Sequence, residues 1–216
     1  MEEALLNVEL REEYAEYAKL CSCGLETVEG IIKNLQRMDD NNLYSSISTR
    51  IKSFESVIEK CERKGYPLTI EGIKEKVHDV AGVRIITPFE DDIYVIADTL
   101  KQRPFLKIDP KHIDDYVKKP KPSGYRGYHM TVEVIDYIDN QSQSIPVEIQ
   151  IKTPSMNAWA EIEHIIRYKS KIVDTPEEIE LFAKTSKYMR DFDKQVMAIR
   201  DRKRKSNSSS KANRLN

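Results

Sequence analysis

The stretch "IPVEIQIK", Ile145 to Lys152, decides how the chain is read. Side chains alternate across a β-strand, so Ile145, Val147, Ile149 and Ile151 share one face and Glu148, Gln150 and Lys152 the other. The first is a core face. The second has two readings: the wet side of a sheet, or a face whose mid-strand carboxylate meets a cation or metal. Alternation alone favours the wet side and leaves the other open.

Working outward, "HMTVEVIDYI" reads as the preceding strand, joined through the polar turn "DNQSQS". "AGVRIITP" is a short strand of the buried type stopped by Pro88, and a further strand falls around "FLKI". "LYSSISTRI" alternates with Ile47 and Thr49 on one face and Ser48 and Arg50 on the other. Helical spacing marks Ser53–Lys64, ending before Gly65, and a short helix in "YPLTIEGIKEKV". "EDDIYVIADTLKQ" is helical with its acids in the first turn, where the helix dipole favours them. "SMNAWAEIEHIIRYKS" follows with Ser155 as N-cap, and a long helix starts with Pro176 at its first position. Apolar residues recur at helical spacing from Val8 to Asn41, with "CSCG" dividing them into two helices. This order predicts an α+β (mixed α/β) domain with a central mixed sheet of about five strands, flanked by helices and extended at both ends by further helices. The expected divisions are N-terminal helices over 1–42, a central domain over 43–170, a C-terminal helix over 171–205 and a disordered polar tail over 206–216.

Of the 216 residues, 39% are hydrophobic and 33% charged, which suits a modest core and a wet surface. No apolar run is long enough to span a bilayer. The start "MEEALLNVELREEY" is acidic and amphipathic, unlike a secretory leader, so a cytoplasmic location is expected. Cys21, Cys23 and Cys61 read as free thiols rather than a disulfide framework or a zinc site. The net charge of −1 means that any attraction for a polyanion comes from local clusters.

Such clusters exist. On the helix "SFESVIEKCERKGY", Ser56, Lys60 and Arg63 fall on one stripe, with Arg50 and Lys52 just before it. This is either a solvated helix face or a phosphate site at a strand-to-helix junction. Asp79, at the mouth of "AGVRIIT", pairs with Glu148 as a second carboxylate at a strand mouth, an arrangement suited to Mg²⁺ but not required by spacing. The loop "KKPKPSGYRGYHM", Lys118–Met130, has glycines around Tyr125–Arg126 and stiffening prolines. It reads as a surface turn or as a holder for something anionic and flat. The chain has no G-x-x-x-x-G-K-[ST], G-x-G-x-x-G or G-x-S-x-G segment, and Trp159 reads as core.

Five blocks, "RIKSFESVIEKCERKG", "HDVAGVRII", "DDYVKKPKPSGYRGYH", "VEIQIKT" and "MNAWAEIEH", occur in that order between Leu43 and Tyr168. Together they resemble the synthetase domain of the RelA/SpoT homologues, which make the alarmones ppGpp and pppGpp. With no room for a hydrolase domain or regulatory domains, the chain is similar to the stand-alone small alarmone synthetases. The resemblance implies a nucleotidyltransferase-like sheet and transfer of the β,γ-pyrophosphate of ATP to the 3′-OH of GDP or GTP, with GMP a third candidate. AMP is released, and no hydrolase activity is expected. It also implies residue roles. Arg50 and Arg84 would stack on the two faces of adenine, and Lys52, Ser56, Lys60 and Arg63 would hold the ATP phosphates. Asp79 and Glu148 would hold Mg²⁺, with Glu148 activating the 3′-OH. Tyr125 would stack on guanine, Lys121 and His129 would hold the acceptor phosphates, and Gln150 and Asn157 would line its pocket. Lys152 stands where long relatives commonly have arginine, giving a point charge instead of a fork. A homotetramer through the terminal helices is implied.

A different reading is an RNA-binding or regulatory module on the same fold, using the basic, aromatic loop and "RDRKRK" to stack single-stranded bases. Asp79 and Glu148 have no purpose there. A nucleotidyltransferase with other substrates would use the acids and the basic stripe equally well.

Overall fold

The computed structural model describes residues 2–38, 42–138, 141–170 and 175–212. In chain order the helices are α1 (Glu2–Met38), α2 (Phe54–Lys64), α3 (Ile70–Lys76), α4 (Glu90–Lys101), α5 (Pro154–Ser170) and α6 (Pro176–Ala212). The strands are β1 (Ser46–Ile51), β2 (Ala81–Ile86), β3 (Leu106–Lys107), β4 (Ile113–Asp115), β5 (Tyr128–Ile138) and β6 (Gln141–Lys152). They form one mixed sheet of order β1-β2-β6-β5-β3, with β4 also pairing with β5. Only the central β2–β6 pair is parallel. The α+β class and the mixed sheet agree with the sequence reading; β4, in "HIDDY", is the strand it did not separate.

The alternation of "IPVEIQIK" holds. Ile145, Val147, Ile149 and Ile151 are fully buried, beside Val83 and Ile85 of β2 and Met130, Val132 and Val134 of β5. Residues of α1 (Tyr17, Cys21, Val28, Ile32) and α4 (Ile93, Ile96, Leu100) join this cluster, as do Val57 and Cys61 of α2 and Ile73 of α3.

Four local expectations are corrected. "CSCG" does not break the N-terminal helix; α1 runs unbroken through it. Gly24 serves close approach instead: a Cβ there would lie 2.7 Å from a methyl carbon of Ile145, so the missing side chain lets α1 settle directly on β6. Ser155 is not the cap of α5. Thr153 Oγ1 accepts from the Met156 N–H at 3.3 Å, while Ser155 donates to Asp193 on α6. The polar segment from 206 continues α6 to Ala212, since no glycine or proline follows Pro176; 213–216 lie outside the described residues. Of "DNQSQS", 139–140 also lie outside, and Gln141–Ser144 are already strand. Elsewhere the caps match. Ser53 caps α2, Gly65 ends it at φ 66° and Pro176 opens α6, where Thr175 and Glu178 form a reciprocal capping box.

Trp159 is buried between α5 and α6, donating to Thr185 Oγ1 at 3.0 Å and meeting Phe182 edge-on. Cys21 and Cys61 are buried free thiols and Cys23 an exposed one. Among the described residues no helix is long and apolar enough to cross a membrane.

Candidate active site

Sheet register assembles the site. Arg50 lies opposite Gly82, Gly82 opposite Glu148, and Glu148 opposite Thr131. Two residues along, Ser48, Arg84, Gln150, His129 and Asp114 form the next row. Residues two apart in a strand share a face, so Arg50, Arg84, Glu148, Gln150 and His129 project together on the side opposite the core. Gly82 has no side chain to interfere, and the Arg50 side chain lies across it, with Cγ and Nε each 3.6 Å from where a Cβ would be. Two cavities, about 750 Å³ and 190 Å³, open on this face and share Arg50 and Arg84. The larger runs past Tyr125 and Lys152 to Asn157 and Glu161 on α5. The smaller contains Glu148 and Gln150.

On the β1–α2 side, Asp79 binds two ammonium groups, Lys52 at 2.6 Å and Lys60 at 2.8 Å. Burial works to raise its pKa, but the two lysines outweigh it and hold the carboxyl below its usual value. Lys60 therefore leaves the stripe on α2 that it was read with. Ser56 is exposed at the Ser53 cap, and Arg63 is exposed in the last turn.

On the β5 side, Tyr125, His129 and Tyr116 form a triangle of edge-on rings with centroids 5.6–5.9 Å apart. The Tyr125 hydroxyl and His129 Nε2 are 2.6 Å apart. Lys121 Nζ sits 4.4 Å from the Tyr116 ring and 5.1 Å from that of Tyr125, and Lys152 Nζ lies 4.8 Å from Tyr125. Lys152 is 3% exposed, and burial, with Arg84 adding to it, pushes its ammonium down to about 8. Burial pushes the Tyr125 phenol up.

Between these two sides lies Glu148. Gln150 Nε2 donates to its Oε2 at 2.9 Å, and His129 Nδ1 faces its Oε1 at 3.6 Å. Burial would raise this carboxyl, yet the His129 and Gln150 contacts bring it below its usual value. Arg84 faces Glu161 at 3.7 Å and keeps a buried Nε with no partner; Asn157 donates to Glu161 at 2.9 Å and keeps an orphaned Oδ1. Two unsatisfied polar atoms at one cavity suit a ligand.

The sequence reading missed Tyr116 and Glu161. Both stood inside quoted blocks, but nothing in their spacing signalled a ring partner or a tether for Arg84. Arg126, next to Tyr125 in the loop, is 3% exposed and pairs with Glu90 and Asp193, away from the cavity.

Asp79 and Glu148 offer hard oxygen donors of the kind that Mg²⁺ takes, and the orphaned and lysine-held polar atoms mark the same face. Among the described residues no group of three or more His, Cys, Asp or Glu is placed to hold a metal by itself. The pair therefore fits a cation whose remaining ligands are phosphate oxygens and water.

A mixed sheet with two arginines and a glutamate on its outer face, a lysine-bound aspartate in the turn before β2 and a ring-bearing loop beside it corresponds to a defined class. The family model described as the region found in RelA/SpoT proteins matches residues 49–173, and the chain belongs to that family. It is similar to the GTP pyrophosphokinase YwaC of Bacillus subtilis, 43% identical over 129 residues that make up 60% of each chain. It is 35% identical to the GTP pyrophosphokinase YjbM of the same organism over 155 residues, 71% of this chain and 70% of that one. The match thus spans about 60% of the length of YwaC. The crystal structure of B. subtilis small alarmone synthetase 2 superposes with a TM-score of 0.78 at 30% identity, covering 88% of this chain and 99% of that one. B. subtilis small alarmone synthetase 1 bound to its product pppGpp superposes at 0.73 and 30% identity, covering 86% and 93%. The same synthetase bound to AMPCPP gives 0.67 at 28%, covering 88% and 94%.

Proposed function

We propose that this chain is a GTP pyrophosphokinase that makes (p)ppGpp by moving the β,γ-pyrophosphate of ATP to the 3′-OH of GDP or GTP, with AMP leaving. GMP is a third candidate acceptor. The observation that carries the reading is the position of Glu148 on β6, with Arg84 on the adjacent β2 and Arg50 one strand further on one side, and His129 on the adjacent β5 with the Tyr125 loop leading into it on the other. Two flat nucleotides on the two sides would meet at this carboxylate.

On the donor side, Arg50 and Arg84 are the planes for adenine, and guanidinium faces stack well on rings. Lys52 and Lys60 would turn from Asp79 to the triphosphate, with Ser56 and Arg63 at its outer end. On the acceptor side Tyr125 takes the guanine ring, Lys121 and His129 the phosphates, and Gln150 and Asn157 the pocket wall. Glu148 accepts the proton of the 3′-OH. Its low pKa keeps it ionised at neutral pH, so the base is always in its working form.

Relatives named as pyrophosphokinases imply a divalent cation; in this reading it is Mg²⁺, held by Asp79 and Glu148. When bound, it supplies charge neutralisation for the pyrophosphate and acidifies the attacking hydroxyl. The protein's own share is alignment of the two nucleotides and fixed positive charge, which dominate phosphoryl-type transfers.

Exposed Val8 of α1 and Leu181, Tyr188, Phe192 and Ile199 of α6 are read as the apolar parts of the terminal helices through which copies assemble into a homotetramer. A cytoplasmic location remains part of the proposal.

The test is incubation with ATP, Mg²⁺ and each of GMP, GDP and GTP, with products separated by anion exchange. A 3′-pyrophosphorylated guanosine nucleotide and AMP are expected; their absence with every acceptor overturns the reading. The same chromatogram separates the reading from an RNA-binding module, which makes neither product.

A further inference from the structure

Tyr125 faces the large cavity, and the residues on either side of it are fastened to α6. Gly124 lies directly on that helix. Its φ is 96°, and a Cβ there would stand 2.9 Å from Ser186 Cβ and 3.1 Å from the Ala183 Cα. Ser186 Oγ donates to the Gly124 carbonyl. On the other side, Arg126 turns inward to Glu90, at the start of α4, and to Asp193 Oδ2 at 3.3 Å.

Asp193 is itself 7% exposed. Besides Arg126 it accepts from Ser155 Oγ at 2.7 Å and Thr153 Oγ1 at 3.1 Å. Those hydroxyls stand where β6 ends and α5 begins, between Gln150 and Asn157. A buried carboxylate is costly without partners, and here all three partners come from segments that border the cavity.

We propose that Asp193 is a positioning residue for the transfer: it locks the loop bearing Tyr125 to the strand–helix junction bearing Gln150 and Asn157. A helix outside the sheet thereby sets the width of the acceptor half of the site. Among the described residues, the hydrogen bonds of Asp193, Arg126 and Ser186 run to Thr153, Ser155, Glu90 and Gly124, and none runs to Arg50, Lys52, Lys60 or Arg84 of the donor half. The inference rests on the reading of the Tyr125 side as the acceptor site.

The experiment compares wild type, Asp193→Asn, Arg126→Lys and Ser186→Ala. Asparagine keeps an acceptor for the hydroxyls but loses the charge that Arg126 needs; lysine cannot fork between Glu90 and Asp193. Asp193→Asn and Arg126→Lys are expected to raise the KM for GDP about tenfold, with the KM for ATP and kcat changed less than about twofold. Ser186→Ala removes one hydrogen bond without stranding a charge, so it tests the idea even where the charge variants fail to fold; about a threefold rise for GDP alone is expected. Donor and acceptor parameters falling together, or neither moving in a folded variant, overturn the proposal. Calorimetric titration of GDP separates the two levels. A wild type that binds no GDP removes the acceptor reading and the proposal with it, whereas equal GDP affinity in wild type, Asp193→Asn and Ser186→Ala removes the proposal alone.

Discussion

The Tyr125 hydroxyl lies 2.6 Å from His129 Nε2. On the other side of the ring, His129 Nδ1 faces Glu148 Oε1 at 3.6 Å. One chain of contacts joins the ring that would hold the acceptor base to the carboxylate that would activate its ribose.

If the ring is what matters at Tyr125, phenylalanine should serve nearly as well. Tyr125→Ala is expected to raise the acceptor KM about tenfold, the effect of losing one stacked base, with Tyr125→Phe within about threefold of wild type. Steady-state kinetics at fixed ATP checks this, and an unchanged KM in the alanine variant counts against stacking.

Lys152 gives the site a pH dependence. Its buried ammonium titrates near 8 instead of 10.5, so it is charged below about pH 8 and neutral above. GDP affinity should weaken between pH 7 and 9.5, by about tenfold if one phosphate contact is lost. Lys152→Arg stays charged and should flatten that limb. The stability effect has the opposite sign. The unfolded chain binds the proton more tightly, so this group adds stability as pH rises from about 8 towards 10.5. Calorimetry across pH reads the first effect and chemical denaturation the second.

Asp79 is bound to two lysines whose side chains are 14% and 22% exposed. Asp79→Asn leaves those ammonium groups facing each other, at a cost of about 1–3 kcal/mol after allowing for solvent screening. Since the native carboxyl titrates below 3.8, its contribution is complete above that value and is lost as pH falls through the lower folded one. The difference in melting temperature between wild type and variant should therefore narrow only on the acid side. A gap that stays constant down to pH 3 would contradict the ion-pair account. The same variant is expected to need more Mg²⁺ for half-maximal rate.

Gly24 tests the fold rather than the chemistry. Gly24→Val would drive carbon into Ile145 and push α1 off β6, costing about 1–3 kcal/mol by overpacking. Urea unfolding measures it, and a neutral result would mean that α1 is not seated on the sheet as described.

Much of this was legible in the sequence because it rests on short-range periodicity. The alternation in "IPVEIQIK" defined a core face and a polar face of open role before any partner strand was known, and Ser53, Gly65 and Pro176 marked helix ends by local chemistry. Gly24 misled for the same reason. A glycine in a helical pattern signals a break, and only the position of Ile145, more than a hundred residues later, turns it into a packing device. The site divided along the same line. Glu148 and Gln150 were readable as sharing one face and Ser48 and Arg50 another, but Arg84 entered only through the family resemblance, and the alignment of all of them needed the register. Asp193 and the tie from Glu161 to Arg84 were not, since each joins residues distant in the chain. Arg126 sits in a visible motif, yet its inward direction depends on α6.

The central claim is that Glu148 catalyses pyrophosphate transfer between two nucleotides held on its two sides. The most direct measurement follows ATP labelled in the β-phosphate, incubated with GDP and Mg²⁺, for wild type and Glu148→Gln in parallel. Label is expected in a 3′-pyrophosphorylated guanosine nucleotide, formed one-for-one with AMP by the wild type. Glu148→Gln should form almost none, while still binding ATP. Label appearing only as free pyrophosphate or in ADP, or equal transfer by the Glu148→Gln variant, would contradict it.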